Sequence, residues 1–172
     1  MSMIAPVNLR SFKQKARHRK TAYRRFLTRL EKDPPVGLDT LTATIEKEVW
    51  KEVDCMSCAN CCKTMSPTYT LKDIKRIAAY LGMPVDAFKK KWLLKERGSN
   101  GDWINKSLPC QFLDMKNNKC GIYSVRPADC SGYPHLSKRR MLGYMHVHKQ
   151  NIEYCPATLK MVEKMIRRVS GE

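Results

Sequence analysis

Four of the eight cysteines in this 172-residue chain fall in one string, Cys55-Met56-Ser57-Cys58-Ala59-Asn60-Cys61-Cys62. Two residues between cysteines let a tight turn aim two thiolates at one centre, the geometry shared by zinc knuckles and iron–sulfur loops. Three cysteines in that register, with a fourth directly adjacent, point to bound metal rather than to isolated buried thiols. The other four are Cys110, Cys120, Cys130 and Cys155, with nine residues between successive members of the first three and 24 before the last. Stiff residues accompany them: Pro109 before Cys110, Gly121 after Cys120, Arg126-Pro127 before Cys130 and Pro156 after Cys155. A metal loop needs such fixed backbone, because its ligands must be positioned closely.

Redox compartment decides how these sulfurs are read. There is no apolar run of the roughly 18 residues that a transmembrane helix requires. The opening MSMIAPVNLRSFKQKARHRK lacks the apolar core of a secretory signal. The expected location is therefore cytoplasmic, where clustered cysteines bind metal or react rather than pair as disulfides. All eight, Cys55, Cys58, Cys61, Cys62, Cys110, Cys120, Cys130 and Cys155, are expected metal ligands. An iron–sulfur cluster, of the 4Fe-4S kind, is the preferred cofactor and zinc the alternative, since soft thiolates suit both. Three cysteines in register and a remote Cys155-Pro156 match the ferredoxin arrangement. Cys62 is then left to act with Cys110, Cys120 and Cys130 at a second site. Adjacent side chains diverge, which argues against Cys61 and Cys62 chelating one small ion together.

Other candidates are weaker. His146 and His148 flank Val147 and would share a face on a strand, but with eight thiolates present they are expected beside the site or at the surface, as is His135. His18 is expected in solvent. Asp102, Asp114 and Asp129 read as caps and turn residues. Arg126 could neutralise a thiolate cluster, and Tyr123 and Tyr133 could wall it. No P-loop, dinucleotide fingerprint, nucleophile elbow or HExxH helix is present, so no catalytic residue is assigned.

The elements that must position these groups follow from the apolar patterning. Helices are expected from about Asn8 to Lys32, stopped by Asp33-Pro34-Pro35, and from near Asp39 to Val53. Thr70 caps a helix carrying Leu71, Ile74, Ile77, Ala78 and Leu81, which Gly82 ends. Another starts at Pro84 and Asp86 and runs through Phe88, Trp92 and Leu93 to a stop near Gly98. Asn117-Asn118 suits the turn of a short hairpin between residues 108 and 123. Arg126-Pro127 opens a helical turn towards Cys130, and Pro156 opens a final helix. The fold class is mainly α: one small metal-stabilised domain, residues 54–172, with irregular loops and a short hairpin around the cysteine cluster. Residues 1–53 precede it as a basic helical amino-terminal segment.

The formal charge is +17, and Met1–Leu30 holds nine Lys or Arg with no acidic residue. Arg10, Lys13, Lys15, Arg17, Arg19, Lys20, Arg24, Arg25 and Arg29 form a segment, residues 10–29, that attracts polyanions such as nucleic acid or an acidic protein. A solvated helix face that keeps the protein soluble is the competing reading.

The string from Cys55 to Cys62, with Leu108-Pro109-Cys110-Gln111-Phe112-Leu113, Cys120-Gly121-Ile122-Tyr123 and Arg126-Pro127-Ala128-Asp129-Cys130 through Tyr133-Pro134, resembles the YkgJ-type cysteine-cluster family. That family has the pattern CxxCxxCC and is described as zinc- or iron-chelating; the match covers about Cys55 to Cys155. Ser131 departs from it, where members often carry a basic residue, and so does the long basic amino terminus. The resemblance implies metal binding and no particular reaction. A distant relative by cysteine pattern is the iron–sulfur-dependent flagellin lysine methylase. The leading expectation is a metal-binding protein with a structural or electron-transfer role. An iron–sulfur enzyme modifying a protein side chain and a zinc module on nucleic acid are the alternatives.

Overall fold

A computed structural model describes residues 4–98, 101–136 and 140–171. The first three residues of the expected amino-terminal segment and the last of the expected metal domain lie outside it. In chain order the helices are α1 (Leu9–Lys32), α2 (Leu38–Val49), α3 (Cys55–Cys58), α4 (Asn60–Thr64), α5 (Leu71–Tyr80) and α6 (Val85–Trp92). Strands β1 (Leu93–Lys95), β2 (Trp103–Asn105), β3 (Leu113–Asp114) and β4 (Lys119–Cys120) come next, then α7 (Ala128–Gly132), α8 (Met145–Asn151) and α9 (Pro156–Ser170). The chain is mainly α-helical, as its patterning implies. It divides into two units, Met1–Cys58 with Pro134–Glu172, and Ala59–Tyr133.

The first unit is built from helices. Asn8 caps α1 by accepting the Ser11 N–H at 3.0 Å. Phe12, Ala16, Tyr23, Phe26, Leu27 and Leu30 then recur on one buried face, which packs against α8 and α9. The helix stops at Asp33, where Pro34 disfavours its continuation. Gly37, at φ 77°, takes the left-handed turn that starts α2. Leu38, Ile45 and Val49 of α2 are buried, and α2 packs on α9, whose first residue is Pro156. Lys164 of α9 reaches Glu48 at 3.1 Å and Glu52 at 2.8 Å. The amino-terminal helices thus share a core with the last two helices of the chain.

The second unit has its own core of Tyr69, Ile74, Ile77, Ala78, Phe88, Leu93 and Ile122. Thr70 and Asp73 form a reciprocal capping box at the start of α5, and Gly82, at φ 65°, lies just past its end. Asp73 has two further partners: it takes the Arg76 guanidinium at 2.6 Å and the Ala128 N–H at 3.1 Å, tying α5 to α7. Burial opposes its charge, yet the Thr70 and Arg76 hydrogen bonds hold its carboxyl below the ordinary range. The helix expected to run to Gly98 ends at Trp92. From Leu93 the chain is strand β1, paired antiparallel with β2 in the register Leu93↔Asn105. Backbone pairing and burial of Leu93 outweigh the local helical pattern there. The second hairpin forms as its sequence implies, with Leu113 opposite Cys120 and Asn118 at φ 59° in the turn.

Candidate metal centre

Each of the last three cysteines of the second unit is set by a different local device. Cys110 follows Pro109, and its N–H is held by the Cys62 carbonyl at 2.8 Å, which fastens the CxxCC string to the segment after it. Cys120 is the last residue of β4, with the Gly121 N–H held by the Phe112 carbonyl at 2.8 Å. A Cβ at Gly121 would sit 3.6 Å from that carbonyl oxygen, an ordinary contact. Cys130 lies in α7, which opens at Pro127 and is anchored by Asp73. Phe112, between Cys110 and the hairpin, stacks on Phe88 with ring centroids 6.3 Å apart, so the core fixes the site from below.

The sulfurs of Cys62, Cys110, Cys120 and Cys130 lie within each other's electrostatic reach in every one of their pairings. Burial is the first cause that pushes the thiols of Cys110, Cys120 and Cys130 above the ordinary range, and repulsion among the four adds to it. Cys62 is lowered instead, first by the hydrogen bond from Cys61 and then by its own backbone N–H and Lys63, against the cost of burial. Donors also converge on the sulfurs. The Phe112 N–H points at the sulfur of Cys110 and the Ile122 N–H at that of Cys120, each two residues on. Such turns favour the charged thiolate and are the means by which a loop stabilises metal-bound sulfur.

Among the described residues, no three His, Cys, Asp or Glu side chains stand ready-made around a metal ion. The chemistry of the donor set nevertheless fits one. Four soft sulfurs share one low-dielectric region with N–H groups aimed at two of them, and a cation is what would offset the repulsion of four thiolates. None of the eight cysteines is joined in a disulfide.

Cys61 and Cys62 do not diverge as expected. Both lie in the single turn of α4, with sulfurs 3.9 Å apart. Four sulfurs about 2.3 Å from a tetrahedral zinc would be about 3.8 Å from one another, so this pair has the spacing of two ligands on one ion. In the first unit, Cys58 and Cys155 are buried, and the charge of Cys58 bears on the Cys155 thiol. Burial raises the Cys155 thiol, while the N–H groups of Ala157 and Thr158, at the start of α9, oppose that rise. Cys55 is exposed.

The remaining candidates separate clearly. His146 and His148 lie on helix α8, not on a strand, so they share no face: His146 is exposed and His148 fully buried. His148 makes no hydrogen bond from either ring nitrogen to the described residues. Burial, then His135 and His146, lower it to about 4. Arg126 stacks on Tyr123, its guanidinium carbon 3.9 Å from the ring centre, and its charge favours the Cys120 thiolate. Tyr123 is therefore an exposed platform for Arg126, while the Tyr133 hydroxyl contacts the Met65 sulfur at 3.4 Å. Asp114 accepts the Lys116 N–H at 2.8 Å as a turn residue, whereas Asp129 accepts the N–H of Thr68, 61 residues away, at 3.1 Å and so ties α7 to the segment before α5.

Reasoning on sequence missed a buried polar network beside Cys110. The Tyr69 hydroxyl and the Gln111 side-chain amide both donate to Asn105 Oδ1, at 2.6 and 3.1 Å. Asn105 also donates its backbone N–H to Ser66 Oγ at 2.8 Å. The only signal available was Gln111 directly after a candidate ligand.

A known family covers most of this ground. Residues 54–157 match the family pattern CxxCxxCC, described as "Putative zinc- or iron-chelating domain". The chain belongs to the CxxCxxCC family. An uncharacterized protein of Methanocaldococcus jannaschii is 40% identical over 81 residues, 47% of this chain and 43% of that protein. The match thus spans less than half the length of that relative. No solved structure matches. As a CxxCxxCC protein the chain has a domain of a metal-chelating class, and no helix among the described residues is long and apolar enough to cross a membrane.

Proposed function

We propose that this CxxCxxCC protein holds metal through its cysteine thiolates, with Cys62, Cys110, Cys120 and Cys130 sharing one centre. One observation carries the reading: the sulfurs of Cys62, Cys110, Cys120 and Cys130 lie in each other's field while the Phe112 and Ile122 N–H groups face two of them. Donors fixed before binding favour charged sulfur, and a bound cation would balance the charge. Cys55, Cys58, Cys61 and Cys155 complete the expected ligand set. An iron–sulfur cluster is the preferred occupant on the ligand pattern, and zinc is the alternative, since soft thiolates suit both. A bound cluster would supply one-electron transfer, and zinc would supply structural closure; in either case the role of the residues is to hold and orient.

Anaerobic purification with an absorption spectrum and iron, sulfide and zinc analysis tests this. Brown protein with iron and inorganic sulfide supports the cluster. Colourless protein with stoichiometric zinc replaces iron by zinc, and protein free of both metals defeats the reading.

A second reading concerns the basic helix. Lys15, Lys20 and Arg24 are paired to Glu163 and Glu153 of the same unit. Exposed Arg10, Lys13, Arg17, Arg25 and Arg29 make no ion pair among the described residues. The apolar face of α1 is spent on the core, which leaves it none to insert into a bilayer. An acid-free row of cations on a helix suits a phosphodiester backbone. Binding of a labelled duplex should then weaken steeply with salt, and duplex binding that ignores salt would rule the reading out.

A further inference from the structure

We propose that the side-chain amide of Asn105 is a positioning residue for the metal centre, donating a hydrogen bond to the sulfur of metal-bound Cys110. The inference rests on the metal reading above and adds a residue that is not a ligand.

The hydrogen bonds around the Asn105 amide give it a defined orientation. Asn105 ends β2 and is 5% exposed. Its Oδ1 already accepts from the Tyr69 hydroxyl at 2.6 Å and from Gln111 Nε2 at 3.1 Å, which uses both lone pairs of that oxygen. With Oδ1 on that side the NH₂ faces the other, and Gln111 Oε1 in the same network is likewise buried without a partner. The strand position is fixed as well, by the bond from the backbone N–H to Ser66 Oγ at 2.8 Å. Asn105 Nδ2 is buried and closes no hydrogen bond of ordinary geometry, yet it lies close enough to the Cys110 sulfur to favour its charged form.

A buried amide donor without a partner is costly, and such groups in folded proteins call for an explanation. A neutral thiol is a weak acceptor, whereas a thiolate or a metal-bound sulfur is a strong one. The amide is therefore satisfied only when Cys110 carries the negative charge that a metal holds in place. Together with the Phe112 N–H it makes two donors on one sulfur, and such partners tune how tightly a metal is held.

The test compares Asn105→Asp, Asn105→Leu, Tyr69→Phe and Cys110→Ser in the full chain. Asn105→Asp keeps the acceptor for Tyr69 and Gln111 but turns an oxygen towards the sulfur. Two quantities are read: release of the purified metal to excess chelator, and the sulfur-to-metal charge-transfer band of the cobalt(II)-loaded protein. Asn105→Asp and Asn105→Leu should each speed release by about 10- to 100-fold. Both should move the band to longer wavelength, because a sulfur without its donor gives up charge more easily. Tyr69→Phe, which frees one lone pair and loosens the amide, should move both readings the same way by less. If the Asn105 variants fail to fold, Tyr69→Phe decides the matter alone. Wild-type release and an unmoved band in the variants that fold would overturn the proposal, even where the melting temperature falls. Cys110→Ser separates the two failures. If that variant keeps all its metal, the metal reading falls and this proposal with it. If it loses metal while the Asn105 variants do not, only the role of Asn105 is lost.

Discussion

A thiol taken out of water is a poor anion unless something offsets its charge, and at Cys110 and Cys120 that offset is built from backbone N–H groups two residues downstream. Serine in place of a cysteine keeps the shape but offers a harder and far more basic oxygen. Cys110→Ser and Cys58→Ser should therefore each lower the metal content and the melting temperature, as measured by metal analysis and thermal denaturation. Full metal content in either variant would remove that cysteine from the ligand set. The identity of the sulfurs was legible because the CxxCxxCC spacing is local. The donors to them were not, since they come from Phe112 and Ile122, residues whose side chains read simply as core. His148 belongs to the same scale. It is fully buried and lowered from 6.5 to about 4 by burial, then by His135 and His146. Between those values the unfolded chain binds a proton that the folded chain refuses. Stability is therefore complete above about pH 6.5 and falls as the pH drops towards 4, by about 3 kcal/mol in all. Urea titrations at pH 7 and pH 5 should show about 2 kcal/mol of that loss, and His148→Leu should flatten it. An unchanged difference between the two pH values in the variant would place the titration elsewhere.

Elements with an uninterrupted apolar stripe were legible almost to the residue. The helix expected to start at Thr70 does so, because the cap and its partner Asp73 are three residues apart in sequence. Thr70→Ala should cost about 1 kcal/mol. Asp73→Ala should cost more, about 3 kcal/mol, since it also leaves the Ala128 N–H and the Arg76 guanidinium without their buried partner. Equilibrium urea unfolding measures both, and equal losses would mean that Asp73 acts only as a cap. Two elements were hidden for physical reasons. Strand β1 continues directly from α6, and what makes it a strand is β2, eight or more residues ahead. Helix α8 buries Met145, His148 and Asn151, so its inward face mixes polar and apolar residues and shows no stripe.

At the scale of the whole chain, the two units differ in what holds them. The first buries long side chains from α1, α2, α8 and α9, among them Leu27, Ile45, Met145, Ile152, Met161 and Met165. The second has the smaller core of Tyr69, Ile74, Ile77, Ala78, Phe88, Leu93 and Ile122, and it carries Cys61, Cys62, Cys110, Cys120 and Cys130. No stretch of sequence announces this division, because the first unit is assembled from both ends of the chain, and long-range helix pairing leaves no local mark. A small core depends more on cross-links or metal for its stability. Stripping metal with a chelator should therefore loosen Ala59–Tyr133 more than the helical unit. Hydrogen exchange checks this directly. After chelation, amides of α5, α6 and the β3–β4 hairpin should lose protection by tenfold or more, while those in the middle of α1 and α9 keep most of theirs. Uniform loss would mean that the chain unfolds as one cooperative block. No loss anywhere would mean that the thiolate centre contributes nothing to the fold.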